Sequence, residues 1–187
     1  MSEEIAVIPM AARHAAEVAE LHRTGIHTGF LSSLGPRFLK QLYRAVPAAP
    51  SGFGFVGERD GRILGFIACA ERVGAVYKQC LMRRGLAMGW ALVPRALRPS
   101  VFRRIVETLV YPSKIEDEYP PAEVLSIVAA EAARGTGLAG RLMNAAFDEF
   151  RRRGLSQVKV LVWNQNARAK AFYEKCGFVL AGQRSHH

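Results

Sequence analysis

The sequence of 187 residues predicts a single α/β domain, a mixed central sheet flanked by helices with a helical insertion between its third and fourth strands. Three observations carry that class. An Asp60-Gly61 pair separates two apolar runs, the pattern of a tight β-hairpin. The C-terminal third alternates strand-like and helix-like periodicity, the order that layers helices on a sheet with a parallel pair. Half of the residues are hydrophobic and 22% are charged, a balance that builds a core and excludes a disordered chain.

The elements follow in order. Ile5-Ala6-Val7-Ile8-Pro9 reads as a first strand and Ala11 to Thr24 as a helix. A Gly/Ser-rich loop from Gly25 to Gly35 ends at Pro36, which suits the first turn of a helix over Arg37 to Val46. Pro47, Pro50 and Gly52 stop that helix. The hairpin pairs Phe53–Glu58 with Arg62–Ala70. Tyr77 to Tyr111 reads as two basic amphipathic helices broken at Pro94 and Pro99, followed by an acidic, proline-bounded loop from Pro112 to Pro121. The insertion thus occupies about 77–121 of one domain spanning 1–187. Glu123–Ala129 is the next strand, Gly137–Arg153 a long helix stopped by Gly154, and Gln157–Trp163 a further strand. Ala167–Lys175 is a short helix and Phe178–Gly182 a last strand.

A net charge of +10 and a pI near 10.1 imply anionic company: a phosphate-bearing cofactor, nucleic acid or a membrane surface. Cys69, Cys80 and Cys176 form no metal-ligand spacing, so no metal is expected, and a reducing cytoplasm is the simple reading. The start Met1-Ser2-Glu3-Glu4 is acidic where a signal peptide is basic. The apolar stretch Gly85–Pro94 is about half the roughly 20 residues that a spanning helix needs. His14, His22 and His27 show no metal spacing and read as surface or cap residues; His186-His187 are assigned no role.

The chemistry begins at Arg134-Gly135-Thr136-Gly137-Leu138-Ala139-Gly140, between a strand and a long helix. Glycines let a backbone approach a ligand closely, and the first N–H groups of a helix have no intrahelical partners. A pyrophosphate is stabilised at such a place. Gly135-x-Gly137-x-x-Gly140 also matches a dinucleotide fingerprint. However, Ala130 to Arg134 separates it from the strand, and the next strand ends at Trp163-Asn164 without a carboxylate for a ribose.

Arg134-x-x-Gly137-x-Ala139 resembles the acyl-CoA segment of the GNAT superfamily (GCN5-related N-acetyltransferases). The stretch from Asn166 through Tyr173 to Gly177-Phe178 resembles that family's N-x-x-A-x-x-x-Y-x-x-x-G-F block. The resemblance covers Glu123 to Gly182 and implies an acyl-CoA-dependent N-acyltransferase, with acetyl-CoA as cosubstrate and the primary amine of a small molecule as acceptor. It implies backbone contacts from Ile127, Val128 and Ala129 to the pantetheine arm, and pyrophosphate on the N–H groups of Gly135, Thr136, Gly137, Leu138, Ala139 and Gly140 beside Arg134. Leu138 also reads as a core contact. Asn166 meets the cofactor arm, caps the helix Ala167–Lys175, or does both. Tyr173 donates to the departing thiolate. Glu123 stands where the histone-acetylating branch carries its base, or is a solvated strand end after Pro120-Pro121; Glu116, Asp117 and Glu118 are the other carboxylates near the acceptor.

The insertion is basic, with Glu107 the one carboxylate among its arginines and lysines over 78–114. It reads as a lid over an anionic acceptor (a phosphorylated or nucleotide-linked amino sugar), as a peripheral membrane contact, or as packing against the domain or a second subunit. Two other function classes stand beside the enzyme. One is a non-catalytic acyl-CoA-binding or sensing module on the same fold. The other, a nucleic-acid-binding domain, is disfavoured by the absence of a recognised motif, so no nucleic-acid partner is expected.

Overall fold

The computed structural model describes residues 4–26, 30–96 and 119–183. The predicted second helix of the insertion, most of the acidic loop, and Glu116, Asp117, Glu118, His27 and His186-His187 lie outside those residues.

The elements are β1 (Ala6–Pro9), α1 (Ala15–Gly25), a short α2 (Phe30–Ser33), α3 (Pro36–Ala45), β2 (Gly52–Arg59), β3 (Arg62–Ala70) and α4 (Val73–Ala96). After them come β4 (Glu123–Ala129), α5 (Leu138–Arg152), β5 (Lys159–Val160) and α6 (Ala167–Lys175). The sheet runs in the order β1-β2-β3-β4-β5. Its first four strands are antiparallel neighbours, and β4 pairs with β5 in parallel. The predicted mixed sheet flanked by helices is the fold observed.

Period-2 alternation in the strands explains the layers. Phe66, Ala68 and Ala70 of β3 join Val18 of α1, Leu39, Leu42 and Tyr43 of α3, and Val76 and Cys80 of α4 in one core. Ile67 and Cys69, one position out of phase, join Leu138, Leu142, Met143, Ala146 and Phe150 of α5 in the other. The sheet is therefore buried on both faces. Asp60 and Gly61 at the hairpin turn both have positive φ, 53° and 71°, the conformation that an Asp-Gly pair tolerates best.

Four expectations need correction. One helix, α4, starts at Val73 and runs through Pro94 to Ala96. A proline removes one hydrogen bond, a cost that a helix of 24 residues absorbs near its end. The strand expected over Gln157–Trp163 pairs only at Lys159 and Val160. The register of β4 against β3 slips at Leu125, between Cys69↔Val124 and Ala68↔Ser126, and beyond that bulge β4 and β5 part. Phe178–Gly182 is not a strand. Gly177 (φ 89°) ends α6, Phe178 N–H caps it on the Tyr173 carbonyl, and Val179 and Leu180 are exposed. His14 and His22 are buried in place of lying on the surface. His14 does act in a cap, since its Nδ1 accepts the Ala11 N–H at 3.1 Å.

Candidate active site

The parting of β4 from β5 is the feature around which the predicted residues gather. Only Glu123↔Lys159 and Val124↔Val160 are paired, so the edge of β4 over Ile127, Val128 and Ala129 faces away from any ladder with β5. These three residues are half-buried and remain bonded to β3 on their other side, through Ile67, Phe66 and Gly65. A cofactor arm lying there can pair with the strand edge as a further strand would.

At the end of β4 the chain makes a short 3-10 turn, Glu131–Ala133, then the glycine loop, then α5. Gly135 (φ 77°) and Gly137 (φ 73°) take left-handed backbone that side chains disfavour, which turns the loop sharply into the helix. The first helical bond runs from Arg141 N–H to the Gly137 carbonyl, 3.1 Å. Among the described residues, the N–H groups of Gly135, Gly137, Leu138, Ala139 and Gly140 have no hydrogen-bond partner, while Thr136 N–H reaches the Ala133 carbonyl at 3.4 Å. Five unpaired donors thus lie within six consecutive residues at the positive end of a helix of 15 residues, a composition suited to a pyrophosphate. Arg134 is exposed beside them and bonds Glu131 at 2.5 Å.

Leu138 anchors this loop, as its core reading predicts. It is 1% exposed and sits on the hairpin, where Gly57 and Gly65 face each other across β2 and β3. A Cβ added at Gly57 would stand 2.4 Å from Leu138 Cδ1, and one at Gly65 would stand 2.8 Å from its Cδ2. The two glycines thus make the seat that fixes the start of α5. The sequence holds a signal for this, a glycine inside each strand run, which marks close approach.

Asn166 caps α6, its side-chain oxygen accepting the Ala169 N–H at 3.0 Å, and the amide N–H groups of this exposed side chain have no partner among the described residues. Tyr173 lies two turns along α6, packed edge-on against Phe172 and Phe178 with centroids at 5.3 and 5.5 Å. Burial pushes its hydroxyl up to about 12, so it stays protonated at neutral pH. Among the described residues that hydroxyl has no hydrogen-bond partner.

Glu123 is not a solvated strand end. It is 9% exposed at the first position of β4, and Lys159 Nζ stands 3.9 Å from its carboxylate. It opens into a cavity of about 70 Å³ on the α1–α3–α4 side of the sheet, shared with Tyr43, Val76, Tyr77 and Ser126. Burial, then the neighbouring Glu123 charge, raises the Tyr77 hydroxyl to about 12. Beneath the cavity, His22 Nδ1 and Tyr43 Oη are 2.5 Å apart, with Phe66 stacked on the imidazole. Burial holds His22 down to about 4, hence neutral, and raises the Tyr43 hydroxyl. The sequence reading did not single out Tyr43, Tyr77, Ser126 or Lys159. They come from α3, α4, β4 and β5, and no spacing along the chain joins them.

No curated protein sequence matches the chain significantly. Among solved structures, the aminoglycoside N-acetyltransferase AAC(6′)-Iy, in complex with the bisubstrate analogue CoA-S-monomethyl-acetylneamine, aligns with a TM-score of 0.65 at 12% identity over 99% of this chain and 97% of that one. The aminoglycoside antibiotic 6′-N-acetyltransferase AAC(6′)-IG from Acinetobacter haemolyticus aligns with a TM-score of 0.61 at 13% identity, covering 98% and 97%. A ribosomal-protein-alanine N-acetyltransferase from Brucella melitensis biovar Abortus 2308 aligns with a TM-score of 0.56 at 12% identity, covering 98% and 97%. At such identities these likenesses speak for the fold. The family model described as Acetyltransferase (GNAT) family matches residues 25–178, from the end of α1 to the helix stop after α6, and the chain therefore belongs to the GNAT acetyltransferase family.

Proposed function

We propose that the chain is an acyl-CoA-dependent N-acyltransferase that moves acetyl from acetyl-CoA to the primary amine of a small molecule by direct attack. The observation that carries this reading is a β4 edge that β5 leaves unpaired beyond Val124, followed in the chain by a helix start whose N–H groups have no partner among the described residues; the Tyr173 hydroxyl, protonated at neutral pH, is the donor the family pattern adds. Ile127, Val128 and Ala129 hold the pantetheine arm by their backbones, Gly135 to Gly140 hold the pyrophosphate with Arg134 beside them, and Asn166 adds a side-chain donor.

The acceptor enters from the other side of β4, through the cavity beside Glu123. The attacking nitrogen forms a bond to the thioester carbonyl carbon and gives up a proton, for which Glu123 is the carboxylate in the cavity lining. The C–S bond then breaks, and Tyr173 supplies a hydrogen bond or proton to the departing sulfur. No covalent enzyme intermediate is needed. Cys69, Cys80 and Cys176 are free, and burial raises all three thiols, which disfavours thiolate nucleophiles. Free thiols suit a reducing compartment, and we place the reaction in the cytoplasm.

Helix α4 walls the cavity through Val73, Val76 and Tyr77. This helix, which leads into the insertion at Tyr77, is thus the part of the chain that selects the acceptor. Its basic character makes phosphorylated and nucleotide-linked amino sugars the first acceptors to assay. One observation also favours a second reading, a non-catalytic acyl-CoA sensor: Glu123 is buried with Lys159 Nζ 3.9 Å from its carboxylate, so it already faces a cation of the protein's own.

Two measurements decide between them. Acetyl-CoA should raise the melting temperature, since it binds the native state alone, and Gly137→Val should abolish that rise by closing the approach to the N–H groups. Free-thiol release should then appear with at least one amine. Stabilisation without thiol release for any amine supports the sensor, and no stabilisation by acetyl-CoA removes both readings.

A further inference from the structure

Helix α4 is apolar on two opposite sides. One side, with Val73, Val76, Cys80, Met88 and Ala91, is buried. The other carries Met82, Leu86 and Trp90 at a spacing of four, a continuous stripe along the helix, and these are 77%, 87% and 77% exposed. Lys78 extends the stripe one turn upstream and Arg83 borders it, both exposed. The helix from Val73 to Ala96 contains no acidic residue. A contiguous stripe of large apolar side chains in water marks an interaction surface rather than ordinary exposure.

We propose that this outer face of α4 docks the protein on an anionic lipid bilayer. Met82, Leu86 and Trp90 enter the boundary between headgroups and acyl chains, and Lys78 and Arg83 meet lipid phosphates. Charge selects this occupant over a second copy of the chain. A two-fold contact presents the same face from both copies, and that face offers Lys78 and Arg83 no carboxylate of the helix to pair with. Lipid phosphates supply the missing charge. Among the described residues no helix is long and apolar enough to cross a membrane, so the contact is peripheral. Tyr77, on the opposite side of the same helix, lines the candidate acceptor cavity, so docking brings that cavity close to the lipid surface.

Flotation of the full chain with lipid vesicles tests the surface without reference to activity. Vesicles of phosphatidylcholine with about one quarter phosphatidylglycerol should hold the protein at least ~10-fold better at about 50 mM salt than neutral vesicles do. In a Trp163→Phe background, Trp90 fluorescence should shift to the blue on binding. Leu86→Glu should weaken partition about tenfold or more by placing a charge in the boundary. Lys78→Gln with Arg83→Gln should flatten the salt dependence. All variants should keep the wild-type circular dichroism and stabilisation by acetyl-CoA. Equal partition of Leu86→Glu and wild type would mean adsorption by charge elsewhere, and overturns the proposal. So does a wild-type dimer that Leu86→Glu dissociates, because a second copy then covers the stripe, and so does the absence of any vesicle binding.

Discussion

The two sides of β4 are built by different means. On the proposed cofactor side the features are consecutive backbone: a strand edge, a glycine loop and a helix start lie within residues 123–140. On the proposed acceptor side, Tyr43, Tyr77, Glu123 and Ser126 meet from three elements, α3, α4 and β4. Backbone donors at a helix start are fixed by local geometry and tolerate many side chains. Side chains converging from distant elements depend on how those elements pack. A family can therefore keep one cosubstrate while its acceptors diverge. The contrast predicts that damage on the cofactor side alters binding and chemistry in separable ways, and that damage on the acceptor side is felt through packing.

The largest effect should come from Tyr173→Phe, where kcat falls by about a hundredfold or more while acetyl-CoA affinity stays within a few-fold. In the proposed role the hydroxyl acts mainly as charge develops on sulfur, so the loss belongs to turnover. Wild-type turnover with a confirmed acceptor would show that the groove alone positions the leaving thiolate.

The second prediction concerns the polar pair under the acceptor cavity. His22 is neutral in the native state with a pKa near 4, against 6.5 when unfolded. Below 6.5 the unfolded chain binds a proton that the native chain refuses, so stability is present above that pH and is lost as pH falls toward 4. The loss amounts to at most about 3 kcal/mol. His14 is lowered as well and adds to the same slope. Denaturant unfolding of His22→Asn between pH 7 and 4 should show a shallower decline than the wild type, and an equally steep decline would detach His22 from acid sensitivity.

Gly57→Ala should test the seat of Leu138. Its added methyl meets the leucine side chain at 2.4 Å, and overpacking of this kind costs about 1–3 kcal/mol. Because Leu138 begins α5, acetyl-CoA affinity should fall as well. Lost stability with unchanged acetyl-CoA affinity would separate the seat from the donors.

Asn166→Ala should be the mildest change, removing the α6 cap at about 1 kcal/mol. Asn166→Asp keeps the capping oxygen and discards the amide donors. Calorimetry of acetyl-CoA with both variants divides the roles: a weakness shared by both belongs to the amide donors, and one confined to Ala belongs to the cap.

The sequence by itself determined the local geometry of the proposed cofactor side. The hairpin turn follows from the φ that Asp60-Gly61 permits, the α5 start from its glycines, and the α6 cap from Asn166, because all are set by neighbours in the chain. Helix spacing likewise placed Asn166 and Tyr173 on one element. The short span of β5 was not legible, since pairing ends where β4 bulges at Leu125 and composition does not record register. Phe178–Gly182 has the content of a strand, yet strand formation needs a partner edge, which those residues do not have among the described ones. The burial of Glu123, the cavity it shares with Tyr77, and the His22–Tyr43 contact were decided by tertiary structure alone. Each joins residues many positions apart, and the packing of α1, α3 and α4 on the sheet brings them within reach.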